Sequence, residues 1–296
     1  MFTQLESLIV FANSENMAEA AIKLRISQSA LSKRIRALEG HLGYALLVHQ
    51  GRRAILTDEA NQLLQGLEPL VAQITDLMTV SKPQQKVSVS IAFADAIMVS
   101  WGAQLMAALA LQFPEVVFDI HSHRTATIIE RLNRGRYQLG LCTGKVTDVQ
   151  GLFVTPLFDE PMAVICQSGK EDEFQQWVSG DAILRVCCIE AKSAMWSFLA
   201  PHMDEWHLLP SVQLESSVGA ARLAVEGFAH ALVPMGVARA LAPDQLWSAL
   251  THDSIHFARK NSLSRPCSVV SRKNVIHHPH YKAIYNFILT FSESLF

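Results

Sequence analysis

The stretch from Asn16 to Glu39, NMAEAAIKLRISQSALSKRIRALE, constrains this chain most. It reads as two short helices joined by a tight turn. Asn16 is a good N-cap, and the AEAAIKL behind it is rich in helix formers. Arg25-Ile26 breaks the run, and Ser27 offers a second N-cap for QSALSKRIRALE. Ala21, Leu24, Ile26, Leu31, Ile35 and Leu38 are spaced so that the two helices bury one shared face. Gln28, Ser29, Ser32, Lys33 and Arg36 are left pointing outward. A helix, a short turn and a second helix with a polar, basic outer face make the helix-turn-helix design. Its second helix enters the major groove of DNA with its N-terminal residues on base edges. The competing reading of this stretch alone is a helical hairpin with a solvated charged face.

The residues after Leu38 add specificity. Leu38-Glu39 leads to Leu42-Gly43, then Leu46-Leu47, the basic turn Gly51-Arg52-Arg53, and Ile55-Leu56-Thr57. The run SQSALSKRIRALEGHLGYALLVHQGRRAILT resembles the winged helix-turn-helix of LysR-type transcriptional regulators. The resemblance covers residues 1–80, and the length and pattern of the remainder fit that family's effector domain. The sequence departs from the family pattern at four places. Asn16 stands for the usual serine cap, Leu47 for a phenylalanine, His49 for an arginine, and Ala60 for the glycine after the wing.

Charge supports a local nucleic-acid contact. The chain of 296 residues has a formal net charge of −2, which argues against a protein coated in phosphate-binding surface. Between Lys23 and Arg53, however, Lys23, Arg25, Lys33, Arg34, Arg36, Arg52 and Arg53 face only Glu39. A basic footprint inside a mildly acidic chain is what one phosphate-binding domain produces. The length suggests two or three compact units, at roughly 100–200 residues per domain. No apolar run reaches the roughly 18 residues of a membrane span, and MFTQLESL lacks the build of a secretory signal. The expected location is cytoplasmic. The five cysteines, Cys142, Cys166, Cys187, Cys188 and Cys267, lie mostly in apolar runs and read as buried, reduced thiols. Only Arg185 near Cys187 would favour a thiolate.

Taken in order, residues 1–15 form a helix packed behind the reader, and residues 44–57 a hairpin wing with Arg52 and Arg53 at its tip. Thr57 caps a long helix whose first turn carries Asp58 and Glu59, where the helix dipole favours acid. Leu63, Leu67, Leu70, Ile74 and Leu77 come next with coiled-coil spacing, which predicts paired linker helices in a dimer. A helix packed on its own domain is the alternative. Pro69 predicts a kink or an outward-facing position. Residues 81–86, SKPQQK, end the helix and mark a domain boundary. Expected domains are 1–57 for the winged helix-turn-helix, 58–80 for the linker helix and 87–296 for an effector domain.

From Val87 strands and helices alternate: VSVSIAF, IMVSWGAQLMAALALQF, VVFDIHSH, TATIIERLNRG, YQLGLCTG. The second set is PMAVICQ, ILRVCCIE, SVQLES, VGAARLAVEG, HALVPMG. A strand CSVVS then precedes a terminal helix around Tyr281–Phe291. This order argues for an α/β fold with a doubly wound parallel sheet. The LysR resemblance implies two lobes built like periplasmic binding proteins, with crossings near Glu160-Pro161 and Ser264–Cys267. Lobe I would take about 87–160 and 267–296, and lobe II about 161–266.

Ligands of open α/β sheets sit beyond the carboxyl ends of strands. That rule selects Ala94, Asp95 and Ala96, then His123, Arg124 and Thr125, then Lys192, Ser193 and Ser216. The resemblance places an effector in the same cleft. Asp95 would repel a carboxylate and attract a cation, and ADAIMVSW resembles the matching stretch of arginine- and lysine-responsive members. The expectation is a cationic amino acid held by Asp95, with Arg124 or helix N-termini on its carboxylate. The alternative is that Asp95 only caps the helix behind it.

No nucleophile elbow, P-loop, Gly-x-Gly-x-x-Gly, Cys-x-x-Cys or His-Glu-x-x-His occurs. His277, His278 and His280 read as a solvated helix start rather than a metal site, and neither metal nor cofactor is expected. The favoured function is a sequence-specific, effector-controlled DNA-binding regulator that is not an enzyme. Gln28, Ser29 and Ser32, with Arg34, suit base edges. Ser27, Lys33, Arg36, Arg52 and Arg53 suit phosphate. The partners are double-stranded DNA, a small-molecule effector and further copies of the chain. The family pattern implies a homodimer or a tetramer built from dimers. The rival is a cytoplasmic solute-binding protein or enzyme whose helical N-terminus binds no DNA.

Overall fold

The computed structural model describes all residues except 51–52, 80–86, 147–150, 194, 252–261 and 296. The chain divides into two compact units, Met1–Thr75 and Asp76–Phe296.

The first unit begins with α1 (Phe2–Ala12), α2 (Met17–Lys23) and α3 (Gln28–Leu42). The Asn16 side chain accepts from Ala18 N and Glu19 N, both at 3.0 Å. Ser27 Oγ accepts from Ala30 N at 3.1 Å. Between these caps the turn closes through Arg25, whose φ of 54° is left-handed. A side chain there costs about 1–2 kcal/mol. The offset is a tight stop for α2: Ile26 N donates to Ala21 O at 3.0 Å, the long-range bond of a Schellman cap. Leu31, Ile35 and Leu38 of α3 are buried with Leu8, Phe11, Ala20 and Ala21. The wing is the antiparallel pair β1 (Leu47–Gln50) and β2 (Arg53–Leu56). His49 pairs with Ala54 within it, so the family departure at His49 does not break the hairpin. Ala60 is fully buried in the same core. It lies in α4 (Asp58–Thr79), which runs on through Pro69. Thr57 Oγ1 caps α4 by accepting from Ala60 N at 3.1 Å.

The second unit carries, in order, β3 (Ser88–Ala94), α5 (Asp95–Ile97), α6 (Ala103–Gln112), β4 (Val117–His123), α7 (Thr125–Asn133), β5 (Leu139–Thr143), β6 (Leu152–Ile165), α8 (Glu171–Ser179), β7 (Leu184–Ile189), α9 (Trp196–Leu199), β8 (Leu208–Leu214), α10 (Ser217–Val225), β9 (His230–Pro234), α11 (Met235–Leu241), β10 (Trp247–Ala249), β11 (Ser264–Arg272) and α12 (Pro279–Glu293). A π-helical turn at Met98–Gly102 joins α5 to α6. Among the described residues the strands form one sheet ordered β4-β3-β5-β11-β6-β9-β7-β8, with β10 on β6.

The sheet is mixed, which corrects the expectation of an all-parallel one. The outer strands are wound in parallel, β3 with β4 and β5, and β7 with β8 and β9. β6 and β11 run antiparallel to each other and to their other neighbours. They are the strands that carry the chain from one lobe to the other and back. Residues 89–152 and 267–288 build one apolar core, and residues 162–263 build the others.

At the crossing Arg265 pairs with Glu160 and Ser264 with Pro161. Arg265 donates to Glu160 Oε2 through Nε at 2.9 Å and Nη2 at 2.5 Å. Both side chains are only 1% exposed. Glu160 Oε1 accepts from Gly236 N at 3.3 Å. A Cβ on Gly236 would come within 2.5 Å of Ser100, so glycine permits this close approach between the lobes.

One sequence expectation, and one alternative weighed beside another, fail at the level of side chains. His278 is buried and lies against Tyr281, with ring centroids 4.7 Å apart. It packs under α12 rather than starting a solvated helix. Asp95 is not a helix cap either: Ala94 holds the cap position without a side-chain bond.

Candidate functional site

The candidate reader face is the outer side of α3. Ser27, Gln28, Ser29, Lys33 and Arg36 are exposed, and Ser32 and Arg34 half-buried. Gln28, Lys33, Arg34 and Arg36 have no side-chain partner among the described residues. Four long polar side chains without partners among the described residues can engage an external surface without breaking any described bond. Ser27 differs, because its Oγ is already committed to the cap and to Ser29 Oγ at 2.9 Å. Arg52 and the Arg53 side chain, expected at the wing tip, lie outside the described residues.

Glu39, read from the sequence only as a lone negative charge, has a structural task. Its Oε1 accepts from Leu46 N at 2.8 Å and Leu47 N at 3.1 Å. The carboxylate thereby fixes the start of the wing to the reader helix. Gly43, at φ 80°, ends α3 and turns the chain back towards that carboxylate.

On α4, Ala60 and Leu64 are buried in the unit's own core, with Leu63 packed against it. Leu67 is half-buried. Leu70 and Ile74 are 55% and 39% exposed. The Leu77 side chain lies outside the described residues. The helix therefore shows two apolar stripes, one covered and one open.

The second candidate site is a cleft of about 140 Å³ between the lobes, lined by Ala94, Asp95, Ala96, Arg124, Thr125, Lys192, Ser193 and Ser216, among others. These residues gather because each follows a strand end or opens a helix. Ser216 caps α10, accepting from Gly219 N at 3.2 Å. Ser193 Oγ accepts from Met195 N at 3.2 Å. Thr125 Oγ1 donates to Thr143 O at 3.0 Å. Asp95 Oδ1 accepts from Ser122 Oγ at 2.6 Å.

His123 does not line the cleft. Successive side chains of a strand point to opposite faces, and Ser122 takes the Asp95 side. The His123 ring instead lies 2.9 Å from Tyr137 Oη and 2.8 Å from Arg131 Nη1. Burial, with Arg131 second, holds its pKa below the ordinary 6.5.

Arg124 is also not free to meet a ligand. Its Nη1 is 3.0 Å from Glu190 and its Nη2 2.5 Å from Glu215. Arg124 belongs to lobe I and both carboxylates to lobe II, so the ion pair spans the mouth of the cleft. Glu190 and Glu215 directly follow β7 and β8, and the strand-end rule used for the other residues reaches them too. Arg265 also lines the cleft, and no local signal marks it, because its role comes from pairing across the sheet.

All five cysteines are free and buried. Burial pushes Cys142, Cys188 and Cys267 up to about 12 and Cys166 to about 11. Among the described residues no group of three or more His, Cys, Asp or Glu side chains could hold a metal ion. Nor is any helix long and apolar enough to cross a membrane.

Comparison with known proteins gives two domain matches. Residues 2–61 match the bacterial regulatory helix-turn-helix protein domain of the lysR family, and residues 84–292 match the LysR substrate binding domain. An uncharacterised HTH-type transcriptional regulator of Vibrio cholerae serotype O1 is 28% identical over 269 residues, covering 90% of this chain and 88% of that protein. ArgP from Mycobacterium tuberculosis shares the fold with a TM-score of 0.71 at 16% identity, covering 99% of this chain and 97% of ArgP. Full-length CbnR complexed with its target DNA has a TM-score of 0.65 at 20% identity, covering 99% of both chains.

Proposed function

We propose that this chain, which belongs to the LysR family of bacterial helix-turn-helix regulators, reads DNA through α3 and is switched by a cationic amino acid bound between its lobes. It is a DNA-binding transcriptional regulator with an effector-binding domain, not an enzyme. The observation that carries the DNA reading is the α3 face, where Gln28, Lys33, Arg34 and Arg36 stand without partners among the described residues. Gln28, Ser29, Ser32 and Arg34 then take base edges, while Lys33, Arg36 and the two wing arginines take phosphate. CbnR, which shares the fold, is described in complex with its target DNA. The open stripe of α4 pairs with the same stripe of a second copy. Two reading heads then address a two-fold related site on the chromosome, in the cytoplasm.

The effector reading rests on Asp95, an exposed acid in the cleft with Glu215 opposite. The amino or guanidino group sits at Asp95. Its carboxylate competes with Glu190 and Glu215 for Arg124. An effector shifts the lobes only by its difference in affinity between their two arrangements, and exchange of the Arg124 ion pair supplies that difference.

Fluorescence anisotropy with the DNA upstream of the protein's own gene tests the class. Specific binding that weakens steeply between two salt concentrations is the expected result. No binding at low salt would favour a solute-binding protein. Calorimetry with lysine and arginine, on wild type and Asp95→Ala, tests the effector. Equal affinity in both proteins, or none in either, would remove Asp95 from that role.

A further inference from the structure

The floor of the cleft between the lobes carries three polar groups that the fold itself does not use. Arg265 supplies the first. A guanidinium has five N–H groups in a fixed fork, and Glu160 takes only the edge formed by Nε and Nη2. Nη1 points away from that edge and has no partner among the described residues. Thr143, at the end of β5, is 8% exposed, and Ser217, the first residue of α10, is 6% exposed. Neither hydroxyl has a partner among the described residues. All three residues line the cleft. Although unpartnered, none of the three atoms is sealed from solvent, so what little surface they keep opens into the cleft.

The register of the sheet brings the first two together. Thr143 pairs with Cys267 across β5 and β11. Arg265 stands two residues before Cys267, so it leaves β11 on the same face as Thr143. The irregularity of β11 falls after Cys267 and does not disturb this. Diagonal neighbours of this kind lie about 7–8 Å apart, within reach of a long side chain. Ser217 comes from lobe II, on the other side of the cleft.

Donors dominate this floor. Nη1 can only donate. Ser216 Oγ satisfies Gly219 N, which leaves the N–H groups of Ser217 and Val218 without intrahelical acceptors. α7 opens into the same cleft at Thr125 and Ala126. The two helix N-termini contribute roughly half a positive charge each. Glu160 cancels the formal charge of Arg265, so the floor presents about one unit of positive charge. The acids nearer the mouth are balanced: Glu215 by Arg124, and Asp95 by Lys192, an exposed lysine without a partner among the described residues. A cation finds no lone pair on Nη1, and a dianion finds too little charge.

We propose that this floor is a subsite for one small monovalent anion, held between Arg265 Nη1, Thr143 Oγ1 and Ser217 Oγ. A halide ion and the carboxylate of an effector present the same chemistry to it. The halide stands by itself, whereas the carboxylate rests on the amino-acid effector proposed for this cleft. Thr143 and Ser217 belong to different lobes, so an anion held by both favours this arrangement of the lobes over a wider one.

Chlorine-35 NMR on the full chain tests this, because exchange with a protein-bound site broadens the resonance of free chloride. A hydrogen bond to an ion is worth at least about a factor of ten in affinity. The excess broadening seen with wild type should therefore fall about tenfold or more in the double variant Thr143→Val, Ser217→Ala. Neither hydroxyl holds the fold together, and melting by circular dichroism checks that the variant is folded. Ser179→Ala on α8 should broaden the line as wild type does. With wild type, acetate should narrow the line to the level of the double variant, whereas acetamide, its neutral isostere, should not. Lysine distinguishes the two sources. Lysine that binds in calorimetry and narrows the line places its own carboxylate on the floor. Lysine that binds and leaves the line broad lies over a separate halide. Lysine that does not bind removes the effector and leaves the chloride result standing. Equal broadening by wild type and the double variant overturns the subsite, and so does a failure of acetate to compete.

Discussion

Gln28 and Arg36 lie on one face of α3, yet the chemistry of each side chain gives it a different task. Gln28 offers a paired donor and acceptor that match an adenine edge. Arg36, two turns on, offers charge. Gln28→Ala should relax base preference with modest loss of affinity. Arg36→Ala should weaken all DNA about equally and lower the salt slope by about one, as read by anisotropy against specific and scrambled duplexes. At the thiols the expectation is inertness. With Cys142, Cys188 and Cys267 pushed up to about 12 by burial, almost no thiolate exists at neutral pH. A disulfide-exchange reagent should label the native protein only after denaturant is added. The exposed face of α3 was legible in the sequence because helix period alone tells the inner face from the outer. Glu39 was not, because its bonds to Leu46 and Leu47 appear only when the wing folds back.

Elements obey the same division. The strands and most helices of the second unit follow from apolar runs and turn residues. The direction of β6 and β11 does not, because antiparallel pairing of residues more than 100 apart leaves no local trace. Their joint is a buried ion pair, and breaking one partner of such a pair costs about 3–5 kcal/mol. Glu160→Gln should therefore lower stability by that order in denaturant unfolding, whereas Glu160→Met with Arg265→Met should recover much of it. On α4 the open stripe makes the opposite prediction. Leu70→Lys should leave the folded unit intact, since Leu70 is 55% exposed, but should shift the protein towards monomer in sedimentation velocity. An unchanged oligomer would place the interface elsewhere.

For the whole molecule, acid sensitivity follows from two histidines. Burial lowers the pKa of His230, with Glu173 opposing, and burial with Arg131 lowers that of His123. The unfolded chain takes up these protons near pH 6.5, while the folded chain resists them. Their contribution is thus complete above about pH 6.5 and is lost as pH falls through the lower folded values. The melting temperature should drop between pH 7.5 and 5.5, and His230→Gln should flatten that drop.

The crossing of β6 and β11 also says how the second unit is put together. Lobe I is assembled from two distant stretches of chain, and lobe II is one uninterrupted stretch between them. Lobe II is thus an insertion in lobe I, entered and left through the facing residues Pro161 and Ser264. Facing residues of an antiparallel pair can be closed by a two-residue hairpin turn. Excising residues 162–263 and joining the ends with Asn-Gly should therefore yield a self-contained miniature of lobe I, a scaffold onto which other lobes could be grafted.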